Sequence, residues 1–177
     1  MRKILKNRLA LSTVVTTLII LVVSVLLAGV VTYFAINVVS TRVQQESVQL
    51  SFPHVWVDAA GYTQAAVLVK NTGGRDIVIN QIQVRGIAAA YSTNVYNYTT
   101  STASDLSAKG TLAASALVGD EPITLSSGSM LEIYISNPTS VSINDIGTTI
   151  GITVLTTNAM YYTETNVQGT TTTLPTS

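Results

Sequence analysis

The sequence predicts an α+β protein in which a long hydrophobic N-terminal helix precedes a C-terminal β domain. Three observations carry this. No charged residue occurs between Arg8 and Arg42. From about Phe52 the apolar residues shift towards strand alternation, as at Ile77, Ile79, Ile82 and Val84, or Leu131, Ile133 and Ile135. Between Lys70 and Asp76 lies NTGGR, which reads as a hairpin turn whose glycines supply positive φ.

The 177 residues allow one modest domain plus one long apolar segment. Apolar residues make up 47% and charged residues only 10%, well under the ~25% of an ordinary soluble domain. The zero net charge hides an asymmetry, because Arg2, Lys3, Lys6 and Arg8 crowd the start. Beyond residue 10, five basic residues face nine acidic ones, a balance of −4. No basic stripe survives there, which argues against a nucleic-acid partner. The chain has no cysteine, so thiolate chemistry and cysteine metal sites are excluded. Thr and Ser, roughly a quarter of the residues, give a surface that hydrogen-bonds water without ionising.

Leu11–Val39 is apolar on every side of a helical wheel, so it must be buried in lipid or in protein. Three readings fit. A cleaved secretory signal needs ~7–15 apolar residues, about half of what is present. A single-span anchor needs ~20. The third reading rests on Val43, Val48 and Leu50, which prolong the helical segment up to Pro53. One helix from Leu11 to Leu50 would span ~60 Å at ~1.5 Å per residue, about twice the hydrocarbon thickness. Such a rod suits packing among copies of itself. The basic start places the N-terminus in the cytoplasm and the bulk of the chain outside.

The start, KNRLA followed by LSTVVTTLII, resembles a class III signal peptide of the archaeal type IV pilin and archaellin superfamily. The resemblance implies that residues 1–10 are removed by a prepilin peptidase, with Ala10 and Leu11 flanking the cut. The Leu9–Ala10 bond is the alternative, because Leu9 stands between Arg8 and the small residue. Bacterial pilins carry a Glu five residues into the mature helix. That position is Val15 here, which matches the archaeal branch. The resemblance further implies that residues 11–50 form a filament core and that an assembly platform and ATPase are partners. Thr13, Thr16, Thr17, Ser24 and Thr32 can return their hydroxyls to backbone carbonyls one turn back, so they do not argue against burial.

Over residues 51–167, strands are expected at 64–70, 76–84, 129–136, 147–157 and Met160–Val167. Short strands and turns over this length predict an immunoglobulin-like β-sandwich. The segment VLVKNTGGRDIVINQIQVRG resembles the β-hairpin of archaeal pilin and archaellin outer domains. Residues 88–118 fit no clean period and read as loops with an edge strand or two. Residues 168–177 read as a Thr-rich polar tail.

The site inventory is thin, and no catalytic, metal or cofactor-binding set emerges. His54, the sole histidine, lies beside Pro53 and two residues before Trp56, which points to packing rather than to a relay. Asp120-Glu121 before Pro122 reads as a solvated turn, with a calcium ligand pair as the alternative. Asn97-Tyr98-Thr99 is an N-glycosylation sequon, whereas Asn137-Pro138-Thr139 is excluded by its proline. The tyrosines at 91, 96, 98, 134, 161 and 162 offer adhesive contact area or sheet packing. The expectation is a non-enzymatic subunit that enters the membrane as a precursor and polymerises with itself into an adhesive extracellular pilus. An archaellum subunit and a membrane-anchored binding module that never polymerises are the alternatives.

Overall fold

The computed structural model describes residues 2–43, 45–119 and 121–175, with side chains described over 11–40, 45–119 and 121–175. It contains two compact units, residues 1–43 and 44–177.

The first unit is one helix, α1 (Arg2–Val43). Valine, isoleucine and threonine are modest helix formers in water, but no proline interrupts them and Gly29 is the sole glycine. Hydroxyls are absorbed by the helix itself. Thr16 donates to Ser12 O (2.8 Å), Ser24 to Ile20 O (2.7 Å) and Thr32 to Ala28 O (2.7 Å).

The helix ends seven residues earlier than the sequence pattern implies. Val48–Leu50, assigned above to the rod, instead open the first strand and pair with Asn71, Lys70 and Val69. Val48 and Leu50 pack against the main core. Ladder bonds and apolar burial together outweigh one more helical turn.

The second unit holds β1 (Val48–Val57), β2 (Thr63–Asn71), β3 (Ile77–Val84), β4 (Ile87–Ala88), β5 (Val95–Thr100), β6 (Ile123–Leu125), β7 (Met130–Ser136), β8 (Thr149–Thr156) and β9 (Met160–Gly169), with a one-turn helix, α2 (Tyr91–Asn94), before β5. The strands follow one path, β4-β3-β8-β9-β1-β2-β7-β5, with β6 also pairing β3. The result is one strand-rich sheet curled into a half-barrel; the strand path does not separate into the two stacked layers of a sandwich. Expected strands at 64–70, 76–84, 129–136 and 147–157 correspond to β2, β3, β7 and β8, and the irregular 88–118 region contributes the edge strand β5.

Two departures concern connections. NTGGR does not close a hairpin, because β2 pairs with β1 and β7 while β3 pairs with β4, β6 and β8. The turn carries the chain from one half of the sheet to the other. Nor does Gly73 supply positive φ; its missing Cβ leaves room for the backbone of residues 45–47. The expected polar tail also differs: β9 runs to Gly169, and Leu174 beyond it is 2% exposed.

Within β1 the register slips between Ser51 and His54, where Phe52 takes φ 49° and Pro53 follows. A bulge suits proline, which has no N–H for the ladder. The main core fills the curl with Val55, Val57, Val67, Ile79, Ile82, Ile133, Ile152 and Val154. A second cluster lies on the opposite face of β1, β2 and β7, where Trp56, Ala66, Leu68 and Tyr134 meet Leu106 and Leu174. Thus β2 is buried on both faces, and the continuous apolar run Ala65–Val69 reflects that.

Candidate functional site

The feature with the largest physical consequence is the surface of α1. Leu11–Ser40 is a 30-residue segment, long and apolar enough to cross a bilayer, and its most apolar 18-residue stretch has a mean hydropathy of 2.9. Length and composition alone fit an anchor or a signal sequence as well. Its large apolar side chains are open on every side, from 43% at Val38 to 73% at Tyr33. A one-sided stripe would indicate a single packing partner; an all-round apolar surface requires an apolar surrounding. Nothing lies within 4 Å of a Cβ placed on Gly29, so that glycine marks a point where another backbone could approach closely.

Immediately after α1, residues 45–47 are bound to two turns of the β domain. Ser47 O accepts the N–H groups of Thr72 (2.9 Å) and Gly73 (3.0 Å), and the Ser47 and Thr72 hydroxyls meet at 2.9 Å. A Cβ on Gly73 would stand 2.7 Å from both Gln45 O and Ser47 N. On the other side, the Glu46 carboxylate accepts from the Thr156 hydroxyl and from Asn158 Nδ2 (2.8 Å). Burial, then the nearby Glu46 charge, raises the pKa of Tyr161. Asn71 organises the β2–β3 turn from within. Its Nδ2 donates to Arg75 O (2.8 Å) and Leu125 O (3.1 Å), and its Oδ1 accepts from Gly73 N (3.0 Å).

The second apolar cluster is roofed by the long segment between β5 and β6 and by the residues after β9. Tyr134 donates to Ser107 O (3.2 Å), and burial pushes its own pKa up to about 12. Ala113 N donates to the Tyr98 hydroxyl (3.0 Å). Lys109 Nζ sits 3.8 Å and 4.1 Å from the ring centres of Tyr98 and Tyr134, and 3.4 Å from Glu132 Oε2. At the end of β1, Asp58 is a 5% exposed carboxylate. Its Oδ1 accepts from Ala60 N and Tyr62 N (both 2.9 Å), and its Oδ2 from Leu174 N (3.0 Å). Burial opposes the charge, but these N–H donors outweigh it and leave the pKa below the usual carboxylate value.

The sequence-derived site residues are scattered. Leu11 lies within α1 and is exposed, whereas the side chain of Ala10 is outside the described residues. Asn97 is half-buried in the edge strand β5, opposite Ile133. His54 stacks on Trp56 at 5.1 Å, and its Nε2 lies 2.7 Å from Asp105 Oδ1, while its Nδ1 is buried without a partner. It therefore joins β1 to the roofing segment. The hydrogen bond from His54 is the main cause of the lowered pKa of Asp105. Glu121 is exposed, and Asp120 lies outside the described residues. Among the described residues no group of three His, Asp or Glu side chains could hold a metal ion. Of the six tyrosines, 96, 98 and 134 belong to the second cluster and Tyr91 donates to Ile79 O (3.2 Å). Tyr162 is the most exposed of them, lies across Gly151 and donates to Glu164 Oε1 (2.9 Å).

Sequence reasoning missed Glu46, Asp58, Gln64 and Asn71. Each is a polar residue at or near the end of an apolar run, and no periodicity separates such a residue from a solvated one. Compared with known proteins, the chain matches no family model and no curated sequence.

Proposed function

We propose that this chain is a structural subunit of an extracellular filament of the type IV pilus kind, with α1 in the fibre core and the β domain on the surface. The observation that carries the proposal is the 30-residue charge-free segment of α1, apolar on all sides. At ~1.5 Å per residue it is ~45 Å long, against the ~30 Å of a bilayer interior. In a bundle of identical helices the whole segment is kept from water, at ~25 cal/mol per Å² of apolar area. In the precursor, lipid does the same for most of its length. The subunit would lose residues 1–10 before assembly, and adhesion is the role assigned to the outer surface, with Asn97 as a glycan acceptor. A motility filament is the alternative use of the same polymer. A membrane-anchored binding module is favoured instead by the fact that the segment is sufficient to span a bilayer.

Electron microscopy of sheared cell-surface material, with mass spectrometry of the chain, separates these. Filaments whose subunit begins at Leu11 are expected. A detergent-soluble monomer that retains Met1 and never forms fibres would overturn the filament reading.

A further inference from the structure

Among the described strands, one backbone ladder joins the two halves of the curled sheet. There β1 and β9 run parallel over three pairs, Val55–Val167, Trp56–Gln168 and Val57–Gly169. Thr170 N then continues the seam with a bond to Val57 O (2.9 Å). Beyond it the chain passes over the outer face of β1 and β2. Leu174 enters the second cluster beside Trp56, Leu68 and Tyr134, and its N–H ends on Asp58 Oδ2. A shallow cavity of about 160 Å³ between Asp58, Ala59, Ala60 and Thr170–Thr173 follows the line of this segment.

We propose that residues 170–175 form a releasable strap, latched by the charged Asp58 carboxylate, whose unseating uncovers Trp56 and frees the β1–β9 seam while the rest of the domain stays folded. Asp58 suits this role because its two oxygens have separate tasks. Oδ1 organises the β1–β2 turn through Ala60 and Tyr62, and Oδ2 holds the strap through Leu174. The surrounding groups leave the carboxylate in control. The turn contributes Ala59, Ala60, Gly61 and Tyr62, and the strap contributes threonines and Leu174. His54, four residues back on β1, is paired with Asp105. None of the three ion pairs among the described residues involves Asp58.

A depressed folded pKa fixes the direction of the pH response. The latch contributes fully above the unfolded carboxylate value, ~3.9, and weakens as pH falls through the folded value, which lies below 3.8. Asp58→Asn mimics release at neutral pH. An amide can keep one oxygen towards the turn, but its NH₂ then faces the Leu174 N–H as donor against donor.

The test is amide hydrogen exchange of the full chain in detergent micelles, read together with emission from Trp56, the sole tryptophan. In Asp58→Asn at pH 7, protection at Leu174 and Thr170 should fall roughly 10- to 100-fold, as expected for one lost bond to a charged acceptor, with Trp56 emission red-shifted. Protection in β2 should be unchanged. The unmodified chain should show the same pattern on acidification below 3.8. A second variant, Leu174→Ser, should raise the pH of release while leaving β2 protected. The proposal is overturned if strap and β2 lose protection together in acid. It is equally overturned if a folded Asp58→Asn protein keeps full protection at Leu174.

Discussion

Gln64 and Lys109 are joined by a reciprocal pair of hydrogen bonds. Gln64 Nε2 donates to Lys109 O (3.1 Å), and Lys109 N donates to Gln64 Oε1 (2.8 Å). Gln64 is fully buried in β2, and Lys109 lies in the roofing segment 45 residues away. The side-chain amide thereby substitutes for a neighbouring strand and satisfies both backbone groups of one loop residue. Replacing Gln64 with Leu removes both bonds at once. The expected cost is ~1–3 kcal/mol in urea unfolding, two ordinary hydrogen bonds partly offset by solvation of the freed loop. Protease cleavage near Lys109 should accelerate more than global unfolding does, since the roof loses its hold before the sheet does.

Gly73 is required by a close approach rather than by backbone conformation. Its neighbours at 2.7 Å are backbone atoms of Gln45 and Ser47, which cannot rotate away as a side chain would. Gly73→Ala should therefore break the bonds from Thr72 N and Gly73 N to Ser47 O. A loss of ~1–3 kcal/mol is expected, the usual cost of overpacking. Faster amide exchange at Thr72 and Gly73 would check it. By contrast, a Cβ on Gly151 meets only the movable ring of Tyr162, so Gly151→Ala should shift the ring at little cost in the same unfolding assay.

Asp145 illustrates a pH dependence on the surface. The Ser142 hydroxyl (2.8 Å) and backbone N–H (2.8 Å) donate to its Oδ2, and Arg85 Nη1 donates to its Oδ1 (2.8 Å). The Ser142 hydroxyl bond leads the causes that lower its pKa, followed by the Ser142 N–H and Arg85. Its contribution is thus present above the unfolded value of ~3.9 and is lost as pH falls through the lower folded value. A carboxyl-carbon NMR titration should place Asp145 below an ordinary aspartate. Ser142→Ala and Arg85→Gln should each move it upward.

The helix and five of the strands were legible because their patterns extend over many residues. Leu11–Val39 lacks charge on all faces, and Leu131, Ile133 and Ile135 alternate plainly. Partnership was less legible. NTGGR has local turn chemistry, yet β2 and β3 part because each buries its apolar residues better against other strands. Helix and strand both tolerate the sequence of Val48–Leu50, and only the distant Val69–Asn71 ladder decides between them. Leu174, one apolar residue among threonines, acquires meaning through Asp58, 116 positions earlier. Ala10, Leu11 and Asn97 were read from motifs rather than from periodicity.

A charge at the middle of α1 distinguishes a fibre core from a simple membrane span. Leu26 lies near the centre of the 30-residue apolar segment and is 64% exposed within the chain. Leu26→Glu would cost on the order of 2.5–3.5 kcal/mol in a bilayer on insertion scales. The remaining apolar residues far outweigh that cost, so the precursor should still fractionate with membranes. In a bundle of identical helices the same carboxylate recurs once per subunit, without a basic partner anywhere between Arg8 and Arg42. Buried unpaired charges are far more costly than that, and repetition multiplies the cost along the fibre. The expected outcome is a membrane-bound precursor with no filaments by negative-stain microscopy. Filaments of normal appearance built from Leu26→Glu subunits would show that this helix lies outside the core.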